Sequence, residues 1–171
     1  SEMGGSQIWF EEGEQLTIDE ALKAICTVSA NDVTLAMAEL IGGSEDNFVI
    51  AMNAKAKELG MENTHFMNSH GIDEEGHYTC AKDIAIMARE LITKHPNILK
   101  YTSIWMDTLR GGTTELTSTN KLIRFYDGAT GLKTGYTSNA LYNLVGTATR
   151  GDTTFISVIM KAPSSDVRLS E

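Results

Sequence analysis

Two short polar motifs carry the residue types that could do chemistry. Ser29-Ala30-Asn31 offers a hydroxyl, donor and acceptor at once, beside an amide that can hold an orientation without changing charge. Lys133-Thr134-Gly135 offers a cation, a hydroxyl and a residue with no side chain, and Thr137 adds a further hydroxyl close behind. A lysine flanked by hydroxyls suits charge-assisted recognition of an anion. Taken singly, each motif has a plainer explanation. Ser and Asn are preferred helix N-cap types, and a lysine beside a turn glycine is ordinary surface.

The elements around the motifs must position them. Thr17 and Glu20 have capping-box spacing, and Ile18, Leu22 and Ile25 recur on one face, which predicts a helix over 18–27. From Asp32 to Ile41 the residues Val33, Ala36, Met37, Leu40 and Ile41 repeat before Gly42-Gly43, predicting a second helix. Ser29-Ala30-Asn31 therefore falls in a short link between two helices. Ser44 can cap a third helix, striped by Phe48, Met52, Ala56 and Leu59 and ending at Gly60. Thr79 opens a fourth, with Ile84, Met87, Leu91 and Ile92 inward and His95-Pro96 closing it. Met37, Met52 and Met87 read as packing residues.

Beyond Leu99 the chain turns Thr-rich and β-branched, broken by turn signals at Gly111-Gly112, Asp127-Gly128 and Gly151-Asp152. Lys133-Thr134-Gly135 stands at the start of one predicted strand. Leu141 to Thr149 and Thr153 to Ala162 predict an antiparallel hairpin, and the run Phe155 to Met160, apolar on both faces, expects cover on both sides. Without repeats or a linker, residues 1–171 read as one α+β unit. It is mainly helical over about 17–100 and mainly strands over about 101–162, with a C-terminal helix starting in 163–171.

Composition narrows the function. Hydrophobic residues at 42% and charged residues at 22% are ordinary for a globular chain and exclude disorder. A net charge of -9 with scattered Lys and Arg leaves no basic stripe, so nucleic acid is not an expected partner. No run approaches the ~20 apolar residues of a membrane span, and Ser1-Glu2-Met3-Gly4-Gly5 does not read as a signal peptide. Cys26 and Cys80 read as free thiols. His65, His70 and His77, with Asp73, Glu74 and Glu75 nearby, fit no helical His-x-x-x-His pair, and the default is solvated loop residues rather than a metal site. Gly128 to Thr134 lacks the Gly-Lys pair and the glycine spacing of a phosphate-binding loop.

The two motifs, about a hundred residues apart and in this order, match the S-x-N and K-T-G elements of the penicillin-recognising serine enzymes. The match extends over essentially the whole chain. Met3-Gly4-Gly5-Ser6-Gln7-Ile8, Leu59 to Phe66, His77-Tyr78, Asn120-Lys121-Leu122 and Gly131 to Thr137 all resemble the low-molecular-mass D-alanyl-D-alanine carboxypeptidases. The resemblance implies the β-lactamase/transpeptidase-like fold, with a helical subdomain and part of an antiparallel sheet. It also implies removal of the last D-alanine of a peptidoglycan stem peptide through an acyl-enzyme, acylation by β-lactam antibiotics in the complete enzyme, no cofactor, and a place outside the bacterial cytoplasmic membrane. By carry-over, Ser29 relays a proton towards the leaving amine and Asn31 donates to the substrate amide. Lys133 meets the terminal carboxylate with Thr134 and Thr137, Gly135 leaves room for the substrate strand, and the Tyr136 N–H is one oxyanion-hole donor. Ala30 stands where the family often has Gly.

The family also requires a Ser-x-x-Lys nucleophile on an earlier helix. The single match, Ser118-Thr119-Asn120-Lys121, falls between the other motifs in a β-rich stretch and is not expected to be catalytic. The expectation is a chain that begins after the nucleophile and does not turn over substrate as it stands. Three alternatives remain: a serine β-lactamase relative, for which Glu62, Asp73 and Glu74 lack a recognisable context, a nucleophile-free stem-peptide-binding module, and a metallopeptidase. With sheet neighbours missing, the Thr153–Ala162 strand is expected to promote self-association.

Overall fold

The structure is a computed structural model that describes residues 4–170. Met3, which opens the first of the resembling segments, lies outside the described residues, as do Ser1, Glu2 and Glu171.

Thr17 accepts from the Glu20 N–H while the Glu20 carboxylate accepts from the Thr17 N–H, so the capping box forms and starts α1 (Ile18–Val28). After two intervening residues α2 (Asn31–Gly42) begins, and it stops at Gly43, whose φ of 76° suits a residue without Cβ. Ser44 accepts from the Asn47 N–H at the head of α3 (Glu45–Glu58). Thr79 does not open the next helix, α4 (Ala81–Lys94), because Cys80 takes the N-cap position. Tertiary contact replaces the cap there. Buried Asp83 in the first turn accepts from the Asn63 N–H at 2.7 Å and the Thr64 hydroxyl at 2.8 Å, and the Thr79 hydroxyl pairs with that of Thr64.

A short turn at Pro96–Ile98 leads into α5 (Leu99–Thr102) and then a small hairpin of β1 (Met106–Leu109) and β2 (Thr114–Thr117). After α6 (Leu122–Phe125) come β3 (Ala129–Thr137), β4 (Leu141–Arg150) and β5 (Thr153–Ala162), all antiparallel and in that spatial order. In the register Lys133 faces Val145, Thr134 faces Leu144 and Gly135 faces Asn143. The chain then enters α7 (Ser165–Ser170). The architecture is α+β.

This order makes β3 and β5 the two edges of the sheet among the described residues. Strand β5 pairs with β4 alone and has α4 packed against it, and Phe155 remains 65% exposed. The cover on both sides expected for Phe155 to Met160 is therefore not present among the described residues. The physical reason is position: the run lies on a sheet edge rather than in a central strand.

The main core joins the two halves. Ala21 and Ala24 of α1, Val33 of α2, Leu109 and Leu116 of the small hairpin, and Ile8 and Ala30 are buried together, with Phe10, Ile25 and Met37 packed around them. Two ionic devices hold the N-terminal segment onto this core. The buried Asp32 carboxylate accepts from the N–H groups of Ile8, Phe10 and Val33. The Arg110 guanidinium grips Glu14 in a two-pronged pair, at 2.6 and 2.9 Å, and donates to the Ile8 carbonyl at 2.9 Å.

Candidate active site

Ser29 terminates α1 in the left-handed region, at φ 58° and ψ 43°. That conformation costs a residue with a Cβ about 1–2 kcal/mol and persists only where the surroundings hold it. Here they do: Ala30 behind it is fully buried and heads α2 without any side-chain cap. Neither Ser29 nor Asn31 spends its side chain on capping, so the helix-cap explanation of this motif does not hold.

Asn31 is fixed by the N-terminal segment. Its N–H donates to the Ser6 carbonyl at 2.8 Å and its side-chain Nδ2 donates to the Gly4 carbonyl at 2.9 Å. Between them Gly5 has a φ of 79°, and a Cβ there would come within 2.5 Å of Asn31 Nδ2. The bed accepts glycine alone, which explains Gly4-Gly5-Ser6 as structure in the service of Asn31.

Lys133 sits on the outer edge strand β3. Its Nζ donates to Ser29 Oγ and to the Thr134 carbonyl, the latter at 2.7 Å, so side chains 104 residues apart in sequence meet. Burial pulls the Lys133 ammonium down to about 8, with the Cys26 thiol opposing the shift and the Arg168 guanidinium adding to it. The lysine is thus charged at neutral pH yet close to exchanging its proton. Burial pushes the Cys26 thiol up to about 11, so it stays protonated and unreactive under Lys133.

The remaining predicted residues divide. Thr134 is buried at 7% exposure and its hydroxyl meets that of Thr119 at 2.5 Å. Gly135 faces open space, since a Cβ there would touch nothing within 4 Å. Tyr136 is 58% exposed and rests its ring against Tyr142, at 4.5 Å between centroids. The Thr137 hydroxyl points elsewhere: it donates to the Asp73 carboxylate at 2.6 Å and accepts from the Ala140 N–H at 2.9 Å. The structure therefore joins Ser29, Lys133 and Thr134 directly, with Asn31 two residues from Ser29 and Thr137 tied to a different loop.

Thr119 and Asp73 are the residues that sequence reasoning missed as members of this site. The Thr119 N–H donates to the Thr27 carbonyl at 3.2 Å, which sets its hydroxyl between the end of α1 and β3. A threonine in a threonine-rich stretch carries no sequence signal, and neither does one carboxylate among three.

Ser118 and Lys121 do not form a reactive pair. Ser118 is buried and accepts from the Asn120 N–H, while Lys121 is exposed ahead of α6, and no helix spans the four residues. The histidines are occupied within their loop: His65 Nδ1 bonds the Gly76 carbonyl, His77 Nδ1 accepts from the Met67 N–H, and His70 Nδ1 accepts from the Ile72 N–H. Among the described residues no three His, Cys, Asp or Glu side chains gather as a metal site, and no helix is long and apolar enough to cross a membrane.

Comparison with known proteins identifies the family and the fold. Residues 1–164 match the family model described as D-alanyl-D-alanine carboxypeptidase. D-alanyl-D-alanine carboxypeptidase DacF of Bacillus subtilis is 50% identical over 169 residues, which cover 97% of this chain and 43% of that protein. DacC of Escherichia coli is 33% identical, over 98% of this chain and 42% of the relative. The chain thus spans less than half the length of these curated relatives. Among solved structures, the carboxypeptidase DacD from Francisella tularensis superposes with a TM-score of 0.90 at 28% identity, over 98% of this chain and 52% of that one. Penicillin-binding protein D2 from Listeria monocytogenes, in its cefotaxime-bound form, gives 0.83 at 34% identity, over 90% of this chain and 62% of that one. The α+β arrangement is that of the penicillin-binding, β-lactamase-like proteins, and the chain belongs to the D-alanyl-D-alanine carboxypeptidase family.

Proposed function

We propose that this chain supplies one side of the active site of a serine-type D-alanyl-D-alanine carboxypeptidase. Its substrate is a peptidoglycan stem peptide and its acylating inhibitors are β-lactams. The observation that carries the reading is the Lys133 to Ser29 hydrogen bond, which turns two weak motifs into one constellation. In this reading Lys133 and Thr134 hold the terminal carboxylate and Gly135 admits the substrate strand. Asn31 steadies the substrate amide, Ser29 passes a proton towards the leaving amine, and the Tyr136 N–H is one oxyanion donor. Thr137 contributes through its place at the end of the same strand. The attacking serine and its lysine base come from outside these 171 residues, because the single Ser-x-x-Lys present is neither helical nor exposed as a pair. The site of action is the outer side of a bacterial membrane, where stem peptides are found.

Fluorescent penicillin tests this. Expressed within its complete reading frame, the protein becomes covalently labelled and releases D-alanine from an acyl-D-Ala-D-Ala peptide. The 171 residues alone do neither. Labelling of the short chain would refute the assignment of the nucleophile, and absence of labelling in the complete protein would refute the activity.

A pH dependence follows from Lys133. Above a pH of about 8 the lysine loses its proton, so affinity for an acid-ended peptide falls, by up to about tenfold per unit. Stability moves the other way. Between about 8 and the ordinary lysine value near 10.5 the unfolded chain holds a proton that the folded chain does not, so unfolding becomes harder as pH rises. Titrations and urea melts at pH 7 and 9 should diverge in this manner.

The free edge of β5 supports a further proposal, self-association of the 171-residue chain through strand pairing. Light scattering should show mass rising with concentration, and a monomer at high concentration would contradict it.

A further inference from the structure

The loop between α3 and α4 touches both the segment that holds Asn31 and the end of the strand that carries Lys133. On one side the Ile72 side chain lies against Gly4, 3.9 Å from where a Cβ would stand, and the Gly4 carbonyl is the acceptor that fixes the Asn31 amide. On the other side, one residue later, Asp73 takes the Thr137 hydroxyl at 2.6 Å and the Asn139 N–H at 3.3 Å, at the exit of the strand that carries Lys133. The loop itself is braced from within. Buried Asn68 donates to the Ile72 carbonyl and to Glu74 and accepts from the Gly71 N–H, while Glu45 of α3 accepts from both the N–H and the hydroxyl of Ser69. A braced segment whose adjacent residues contact opposite walls acts as a strut between them.

We propose that Asp73 is a positioning residue: it clamps the β3–β4 turn through Thr137, and with Ile72 it sets the spacing between the Asn31 wall and the Lys133 strand. The Thr137 hydroxyl has one proton, and Asp73 holds it. A carboxylate ligand that sought that proton would compete with a carboxylate already in place. Thr137 therefore serves substrate indirectly, by fixing how β3 ends, rather than as a direct ligand. The proposal rests on the peptide-binding reading for its functional consequence, but its structural half stands apart.

A double-mutant cycle tests it in the 171-residue chain, read by titration with an acyl-D-Ala-D-Ala peptide. Asp73→Ala and Thr137→Val should each weaken binding about three- to tenfold, and the double variant should be no weaker than the worse single, since both break one clamp. Additive losses, or singles that bind like the parent, would overturn the clamp. Amide hydrogen exchange supplies the reading that needs no ligand. In Asp73→Ala, exchange should quicken at Asn139 and Ala140 and also at Asn31 across the cleft, with the α1 and α4 amides unchanged. Quickening confined to the turn would overturn the strut. If the parent chain binds no peptide while exchange behaves as stated, the functional reading fails and the strut survives.

Discussion

Replacing Lys133 with alanine is expected to cut affinity for an acyl-D-Ala-D-Ala peptide by roughly a hundredfold or more while the sheet stays paired. Truncating one member of a desolvated charge pair costs about 2–5 kcal/mol, and 1.4 kcal/mol is a factor of ten. Among the described residues the lysine forms no ion pair with a carboxylate. Its donors go to a hydroxyl and a carbonyl, so its charge is free for a ligand. Removing it should also relieve a buried ammonium, so thermal unfolding should hold steady or rise slightly. Lys133→Arg should not rescue binding, because the broad guanidinium cannot reproduce a compact ammonium packed between Ser29 and the strand. A Lys133→Ala chain that binds like the parent would remove the cation from the account.

Gly135→Val should be the other severe change, and of a different kind. A side chain at 135 projects into empty space, so the fold should tolerate it, yet that space is where the substrate strand is proposed to lie. Peptide binding should fall about a hundredfold with little change in unfolding midpoint. Gly131→Val, four residues earlier on the same strand, gives the contrast. A Cβ there would stand 2.7 Å from Thr102 Oγ1 and 3.1 Å from Thr147 Oγ1, so this variant should lose the fold itself. If Gly135→Val unfolded as well, the openness of the cleft edge would be in doubt. If it folded and still bound peptide, the substrate strand would have to run elsewhere.

Much of this architecture could be read in the sequence because local chemistry decides it. The Thr17–Glu20 box, the Gly43 stop, the Ser44 cap and the Arg150-Gly151-Asp152 turn each act within a few residues, and each appears where its spacing put it. Thr79 failed as a helix start because Asp83 draws Thr64 onto the first turn from fifteen and more residues away, which no local pattern records. The apolar run in β5 is a related case: residue type reports what a strand prefers, whereas exposure among the described residues depends on which neighbours surround it. At the site, Ser29, Asn31 and Lys133 were visible as motifs. Thr119 and Asp73 were silent, because their importance comes from partners brought near by the fold. The left-handed backbone of Ser29 was equally hidden, since serine gives no warning of positive φ.

The most direct measurement compares two ligands that differ at one group. An acyl-D-Ala-D-Ala peptide with a free C-terminal acid and the same peptide as its C-terminal amide are titrated against the chain at pH 7. The acid should bind at least about tenfold more tightly, since a charge-assisted hydrogen bond contributes about 1.5–3 kcal/mol, and that preference should vanish in Lys133→Ala. Equal affinity for acid and amide, or a preference that survives the loss of Lys133, would contradict it.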